Sequence, residues 1–413
     1  MQLDKISMGP VNEYIDSNWS KCVRENREDK DTLIGLPYPY SIPAVGHFEE
    51  LYYWDTYFLN LGLKCSGQFE QMKFNVDNML YLVEKYGFMP NANRTYQLKK
   101  SQPPFLSEMV REVYEHYKDR CWLRGAYLAL KKEYDFWQTK RTTTIGLAQY
   151  SEACSEDEIE RLEKGYVERL QFHPERDSKA LAREYRTCCE SGWDLNPRWE
   201  FQGESFAHLD LNALLFQVEN NMAYFSEVLS NDEANVWKKR AQKRNDLMQR
   251  YMVDDRGIYW DYNFNEDAFG KVYSVAAYYP MYVGLATKEQ AQAAVDMLPK
   301  LEEAYGVATC EKNSVKGNFQ WNYPNGWACL QYIMVIALDR YGFYEEARRI
   351  AGKYIHLVEQ VFEETGNLWE KYNVVEGNAN VITEEKMPPM MGWTAGVYLA
   401  FAEHYATAGP NIH

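Results

Sequence analysis

Asp194 has the setting that a general acid needs. It stands in Glu190-Ser-Gly-Trp-Asp-Leu-Asn-Pro-Arg-Trp199, directly after Trp193 and before a run that Pro197 keeps from continuing as a helix. A carboxyl held against an indole loses hydration of its charged form and keeps its proton to higher pH. A carboxylic acid still protonated near neutrality can give that proton to a leaving oxygen. The competing reading is a helix end running into a loop, with Asp194 making a structural hydrogen bond.

Four other stretches between helices draw on Trp, amide, carboxylate and cationic side chains in different combinations. Pro43-Ala-Val-Gly-His-Phe-Glu-Glu-Leu-Tyr-Tyr-Trp-Asp-Thr-Tyr57 puts Trp54 and Asp55 at a predicted helix start. There Asp55 either N-caps the helix or binds a pair of sugar hydroxyls. Pro90-Asn-Ala-Asn-Arg-Thr-Tyr-Gln-Leu-Lys-Lys-Ser-Gln-Pro-Pro104 is dense in amide and cationic donors, Asn91, Lys100 and Gln102 among them. The others are Gln320-Trp-Asn-Tyr-Pro-Asn-Gly-Trp327 and Leu368-Trp-Glu-Lys-Tyr372, where Glu370 again sits beside a Trp. Loop-stabilising hydrogen bonds account for any one of these alone. Their shared composition suits sugar recognition, with indole faces on the apolar side of a ring and acids and amides on its hydroxyls.

Helical periodicity supplies the frame for these loops. Val11, Tyr14, Ile15, Trp19 and Cys22 form one stripe, and Phe69, Met72, Val76, Met79, Leu80 and Val83 another, closed by Gly87. Further helices are predicted over 55–65, 106–117, 119–137, 155–172, 177–190, 209–229, 231–252, 288–299, 325–341, 344–362 and 391–405, with an extended segment over 257–263. About a dozen helices of ordinary length, with no linker or fixed repeat, predict an all-α fold of stacked hairpins. Closing six hairpins makes an (α/α)6 toroid, one domain over 1–413 with an N-terminal helix about 8–25 packed on it. An open α-solenoid is the runner-up.

Composition narrows the partners. The 413 residues carry a net charge of −15, and no basic face is offered to nucleic acid. Tyr, Trp and Phe make 15% of the chain, enough to furnish both a core and sugar-binding faces. No apolar run reaches the ~18 residues of a spanning helix, and the N-terminus lacks the apolar stretch of a signal peptide. A cytoplasmic protein with no membrane partner is expected. The eight cysteines include no CxxC pair and no His at zinc-ligand spacing, so they read as reduced thiols, with no metal and no cofactor.

Taken together, these segments resemble the glycoside hydrolases typified by α,α-trehalase, an (α/α)6 family. Pro43 to Tyr57 is similar to the family's first signature, and Pro90 to Pro104 to its Asn-Arg…Ser-Gln-Pro-Pro loop. Residues 190–199 are similar to its Glu-Ser-Gly-Trp-Asp…Arg-Trp run, and 320–327 to its second signature, with Asn322 in place of Asp. Asp210-Leu-Asn-Ala213, Asp261-Tyr-Asn263, Tyr279-Pro280 and Gly392-Trp-Thr-Ala-Gly396 are weaker echoes in the same order. The resemblance implies an inverting hydrolase acting on an α-glucosidic bond, most directly α,α-trehalose. It implies Asp194 as general acid and Glu370 as general base, about 6.5–9.5 Å apart to leave room for water. His47, Phe48, Trp54, Asp55, Asn91, Lys100, Gln102, Arg198, Trp321 and Glu384 match or approximate its sugar-contacting positions.

Departures bear on substrate. His47 and Lys100 replace family arginines, and neither reproduces a planar guanidinium fork. The glycine-rich segment before the family's last Glu is reduced here to Gly377, which predicts a more open cup. The family's Arg-Pro-Glu segment finds its nearest candidate at His173-Pro-Glu175. Another small α-glucoside, such as glucosylglycerate or kojibiose, is therefore the second substrate expectation, and a sugar-binding protein without turnover the third.

Overall fold

In the computed structural model, 57% of the described residues are helical and the strands among them are few and short. The structure describes residues 9–150, 156–157, 159–163, 177–383, 386–389 and 391–405. The helix expected over 155–172, the His173-Pro-Glu175 candidate and Glu384 lie wholly or largely outside them.

Six helices follow one another around a ring. They are α2 (Tyr53–Cys65), α4 (Leu106–Tyr117), α7 (Leu209–Leu229), the short α9 (Tyr279–Tyr282), α11 (Ala328–Arg340) and α13 (Gly392–Tyr405). Each packs on the next, and α13 packs back on α2, which closes the circle. Closure excludes the open solenoid and gives the (α/α)6 toroid. The α13–α2 crossing is close because both helices present glycine there. A Cβ on Gly396 would run into the Phe58 carbonyl, and one on Gly62 would come within 2.8 Å of the Gly396 Cα.

The partner helices lie in the intervening sequence. α3 (Phe69–Tyr86), α5 (Arg120–Lys140), α8 (Ala234–Tyr251), α10 (Lys288–Asp296) and α12 (Tyr344–Thr365) each follow a ring helix. The amphipathic α3, α5 and α12 bury one stripe, while α2, α7, α11 and α13 are apolar or buried around most of their circumference, as inner elements must be. α1 (Pro10–Asn18) is shorter than the N-terminal helix expected. It passes through a 3-10 turn, Trp19–Cys22, into a two-residue strand, Val23–Arg24. Trp19 seats against Gly62, and Tyr14 meets Phe362 of α12 edge to face, so α1 fills the sixth outer place. α6 (Ser178–Ser191) lies outside this alternation and leads into the Asp194 loop.

One boundary differs in a way that matters for the site. The helix expected from 325 begins only at Ala328. Asn325–Trp327 instead form a strand, antiparallel to Lys371–Asn373, with Trp327 opposite Lys371. Period-based reading misses it because a three-residue strand is defined by its distant partner rather than by its own pattern.

Candidate active site

The Asp194 loop is built by local hydrogen bonds. Gly192 ends α6 in the left-handed conformation, φ +74°, and a Cβ there would meet the Trp54 indole at 2.6 Å, so only glycine suits both the turn and the packing. Ser191 Oγ accepts from the Trp193 N–H, and the Asn196 amide donates to the Trp193 carbonyl while accepting from the Arg198 N–H. Leu195, Glu200 and Phe201 are all at positive φ. The Trp321 N–H donates to the Leu195 carbonyl and ties this loop to the Gln320–Trp327 segment. Asp194 itself is partly exposed.

Asp55 occupies the third position of α2. It is not the N-cap: Tyr52 is, without a side-chain cap bond. Gln102 Oε1 accepts from the Trp54 N–H, and the Asn91 carbonyl from the Tyr53 N–H, so the 90–104 loop satisfies the helix start. Burial first, and then the like charges of Glu370 and Asp194, push the Asp55 carboxyl up to about 8. Three carboxyls from separate parts of the sequence therefore share one electrostatic site. The buried Cys329 thiol also feels Asp55 and Glu370, and burial above all drives its pKa well up.

Glu370 lies at a bend just before the Lys371–Asn373 strand and is partly exposed. Its Oε2 accepts from Lys371 Nζ at 2.5 Å, and its backbone carbonyl from Trp393 Nε1 at 2.8 Å. Thr394 Oγ1 donates to the Trp369 carbonyl at 2.6 Å, so the start of α13 grips the Glu370 segment twice.

A cluster of five buried indoles links the Asp194 loop to the Glu370 segment: Trp54, Trp193, Trp321, Trp327 and Trp393. Trp321 stacks on Trp327 at 3.7 Å and on Trp193 at 5.7 Å, while Trp393 meets Trp54, Trp321 and Trp327 edge-on. Trp54 is 1% exposed and Trp321 2% exposed, so other indoles occupy much of the ring surface that the sequence offered to a sugar.

The remaining sequence candidates divide between buried ties and the rim. Arg198 is fully buried, donating from Nε and Nη2 to Asp261 and from Nη2 to Asp210, with Trp193 stacked 4.3 Å from its guanidinium carbon. Among the described residues its Nη1 finds no partner. Burial, then the Arg198 charge, pushes the neighbouring His208 imidazole well below its usual value, so it stays neutral. Asn91 donates to the Ser101 and Cys189 carbonyls, tying its loop to α6. His47 is exposed, with Phe48 beside it at 4.4 Å, and Lys100 is half-buried.

Sequence reading missed the residues that hold the loops. Glu190 forms a two-point buried ion pair with Arg141 and accepts from the Ser101 N–H. Nothing in the spacing joins Arg141 to it. Trp393 was visible only as part of the Gly392–Gly396 echo, and Lys371 only as the neighbour of Glu370. Among the described residues, no group of His, Cys, Asp and Glu is arranged to hold a metal ion, and no helix is long and apolar enough to cross a membrane.

Comparison with known proteins gives a consistent result. The family model described as Trehalase matches residues 3–406. A periplasmic trehalase of Escherichia coli O1:K1 is 32% identical, over 94% of this chain and 73% of its own length. Neutral trehalase Nth1 from Saccharomyces cerevisiae superposes with a TM-score of 0.76 at 28% identity, covering 97% of this chain and 80% of that one. A GH63 mannosylglycerate hydrolase from Thermus thermophilus shares the fold, with a TM-score of 0.65 at 15% identity over 95% of this chain and 100% of that one. The cytoplasmic expectation is corrected by the curated relatives, which are named periplasmic and point to that compartment instead. That expectation rested on what the start of the sequence lacks, which carries no information on compartment.

Proposed function

The chain belongs to the trehalase family of glycoside hydrolases, and we propose that it hydrolyses α,α-trehalose with inversion, Asp194 serving as acid and Glu370 as base. Asp194 gives its proton to the bridging oxygen as the glycosidic bond breaks. Glu370 takes a proton from a water on the opposite face of the ring, and the water oxygen bonds to the anomeric carbon. The proton returns from Glu370 to Asp194 through solvent. Neither step calls for a cofactor.

The observation that carries this reading is the convergence of Asp194, Glu370 and Asp55 on one site, felt as mutual repulsion at Asp55. Asp55, protonated at neutral pH, would give a hydrogen bond to one sugar hydroxyl and accept from another. Arg198 Nη1, Asn91, Gln102, Phe48 and Glu384 are proposed to line the sugar sites, with Trp54 and Trp321 as their rigid wall. His47 and Lys100 are proposed at the second sugar, where they replace arginines.

The test is release of glucose from trehalose between about pH 4 and 8, the range in which carboxyl pairs operate, with the anomers resolved. Inversion delivers one glucose as the β anomer and the leaving one as α. No glucose release at any pH in that range refutes the substrate. Initial release of α anomer only refutes the mechanism.

A further inference from the structure

The residue after the proposed base is a lysine without access to water. Lys371 is fully buried, its ammonium 4.6 Å from the centre of the Trp327 ring and 2.5 Å from Glu370 Oε2. Successive side chains of a strand point to opposite faces, so this contact between neighbours depends on the bend at Glu370. Trp327 and Lys371 are directly opposed across antiparallel strands, which sets the ring under the ammonium. A buried ammonium loses several kcal/mol of hydration, and a ring face plus one carboxylate are what offset it here. The carboxylate it meets is the partly exposed one assigned as base.

The other side of Trp327 leads to the acid. Trp327 lies on Trp321 at 3.7 Å with the planes 4° apart, and Trp321 on Trp193 at 5.7 Å and 23°. Trp193 precedes Asp194 in the chain, and the Trp321 N–H is bonded to Leu195 just after it.

We propose that Lys371, seated on Trp327, is the positioning residue for Glu370, and that the Trp327–Trp321–Trp193 stack fixes the base segment against the Asp194 loop. The inference rests on the assignment of Glu370 as base. By occupying Oε2 the ammonium leaves the other carboxylate oxygen to face the water, and it sets the orientation of the carboxylate plane. Among the described residues, the Asp55 carboxyl of α2 and the Cys329 thiol of α11 also face Glu370, and neither is a cation.

Lys371→Met keeps the length of the side chain and removes its charge. Its kcat on trehalose falls about 100-fold with KM changed less than about threefold, as expected when a reacting group is displaced with binding intact. Lys371→Arg keeps the charge but not the reach; it restores part of the loss, with kcat about tenfold below wild type and KM unchanged.

A folded Lys371→Met with kcat within threefold of wild type, or with KM rising in step, overturns the proposal. If thermal unfolding shows that Lys371→Met does not fold, Lys371→Arg and Trp327→Phe decide. Both are then expected to lower kcat at constant KM, and an unchanged kcat in both overturns it. Glu370→Gln separates the two layers. If it is inactive, the base assignment stands whatever Lys371→Met shows, and if it is active, the assignment and this inference fall together.

Discussion

The proposed acid and the proposed base of this site are held by different kinds of structure. Asp194 stands on an irregular loop that leaves α6 through Gly192 and bends through three residues in the left-handed region, Leu195, Glu200 and Phe201. Beneath it, Arg198 is clamped between the buried carboxylates of Asp210 and Asp261. Glu370 precedes a short antiparallel strand; no described residue from 369 to 373 is at positive φ, and its holders are Lys371, Trp393 and Thr394. The Asp194 loop is thus fixed by conformations and charges that the rest of the fold must enforce, the Glu370 segment by a few direct contacts, one of them the buried Lys371 ammonium. Backbone strain is tolerated where the surrounding structure over-determines it, and here that place is the acid loop.

The largest expected effects fall on chemistry and treat both sides alike. Asp194→Asn and Glu370→Gln each lower kcat by about 10³-fold or more, the range for losing a general acid or base. Asp194 is partly exposed, so the thermal midpoint of Asp194→Asn stays close to that of wild type, whereas Glu370→Gln leaves the buried Lys371 ammonium without its carboxylate and melts lower. Steady-state kinetics with thermal melts check this, and substantial activity in either variant removes its role.

Stability then separates the two sides. Arg198→Met leaves Asp210 and Asp261 buried without their cation, which costs about 3–5 kcal/mol. Chemical denaturation measures it. A loss under 1 kcal/mol would show that the acid loop does not depend on the ion cluster and would erase the contrast with the base strand.

Asp55 lies between the two regions and reports on both. Its carboxyl titrates near 8 in the folded protein against an ordinary value of 3.8. The folded state therefore keeps a proton that the unfolded chain releases, and Asp55 makes stability fall as pH rises through the window from about 4 to about 8. Asp55→Asn cannot titrate, so its melting temperature declines less over that window. Parallel melting curves for the two proteins between pH 5 and 8 would mean that Asp55 is ionised in the fold.

These contrasts also mark what the sequence made legible. Asp194 and Glu370 stand in motifs dense enough to be recognised, and the apolar stripes of α1 and α3 predict helices directly. The four-residue α9 is too short to show a period, and the strand Asn325–Trp327 exists only through its pairing with Lys371–Asn373. An indole reads the same whether it faces a ligand or another indole, so the sequence could not foresee how deeply Trp54 and Trp321 are buried among their neighbours. The grip of Lys371 on Glu370 needs a bend that no residue type announces. In each case the missing information is tertiary: it depends on what lies opposite in space.

The smallest expected effect tests the strain itself. Glu200 has φ +48°, a conformation that costs an ordinary L-residue roughly 1–2 kcal/mol and glycine almost nothing. Its side chain is partly exposed and pairs with Lys271 at 2.9 Å, a surface contact worth about 0–1 kcal/mol. Glu200→Gly removes the strain together with the side chain's contacts, the Lys271 pair among them, and glycine also gains entropy in the unfolded chain, which offsets part of the relief. The net expectation is a stabilisation of under about 1 kcal/mol with kcat within twofold, since Trp193, Asn196 and Arg198 still hold the acid. A matched control on the base side, Val375→Gly, relieves no left-handed residue and is expected to destabilise slightly. Paired denaturation curves decide the point. If Glu200→Gly destabilises the protein as much as Val375→Gly does, the acid loop stores no strain at this position.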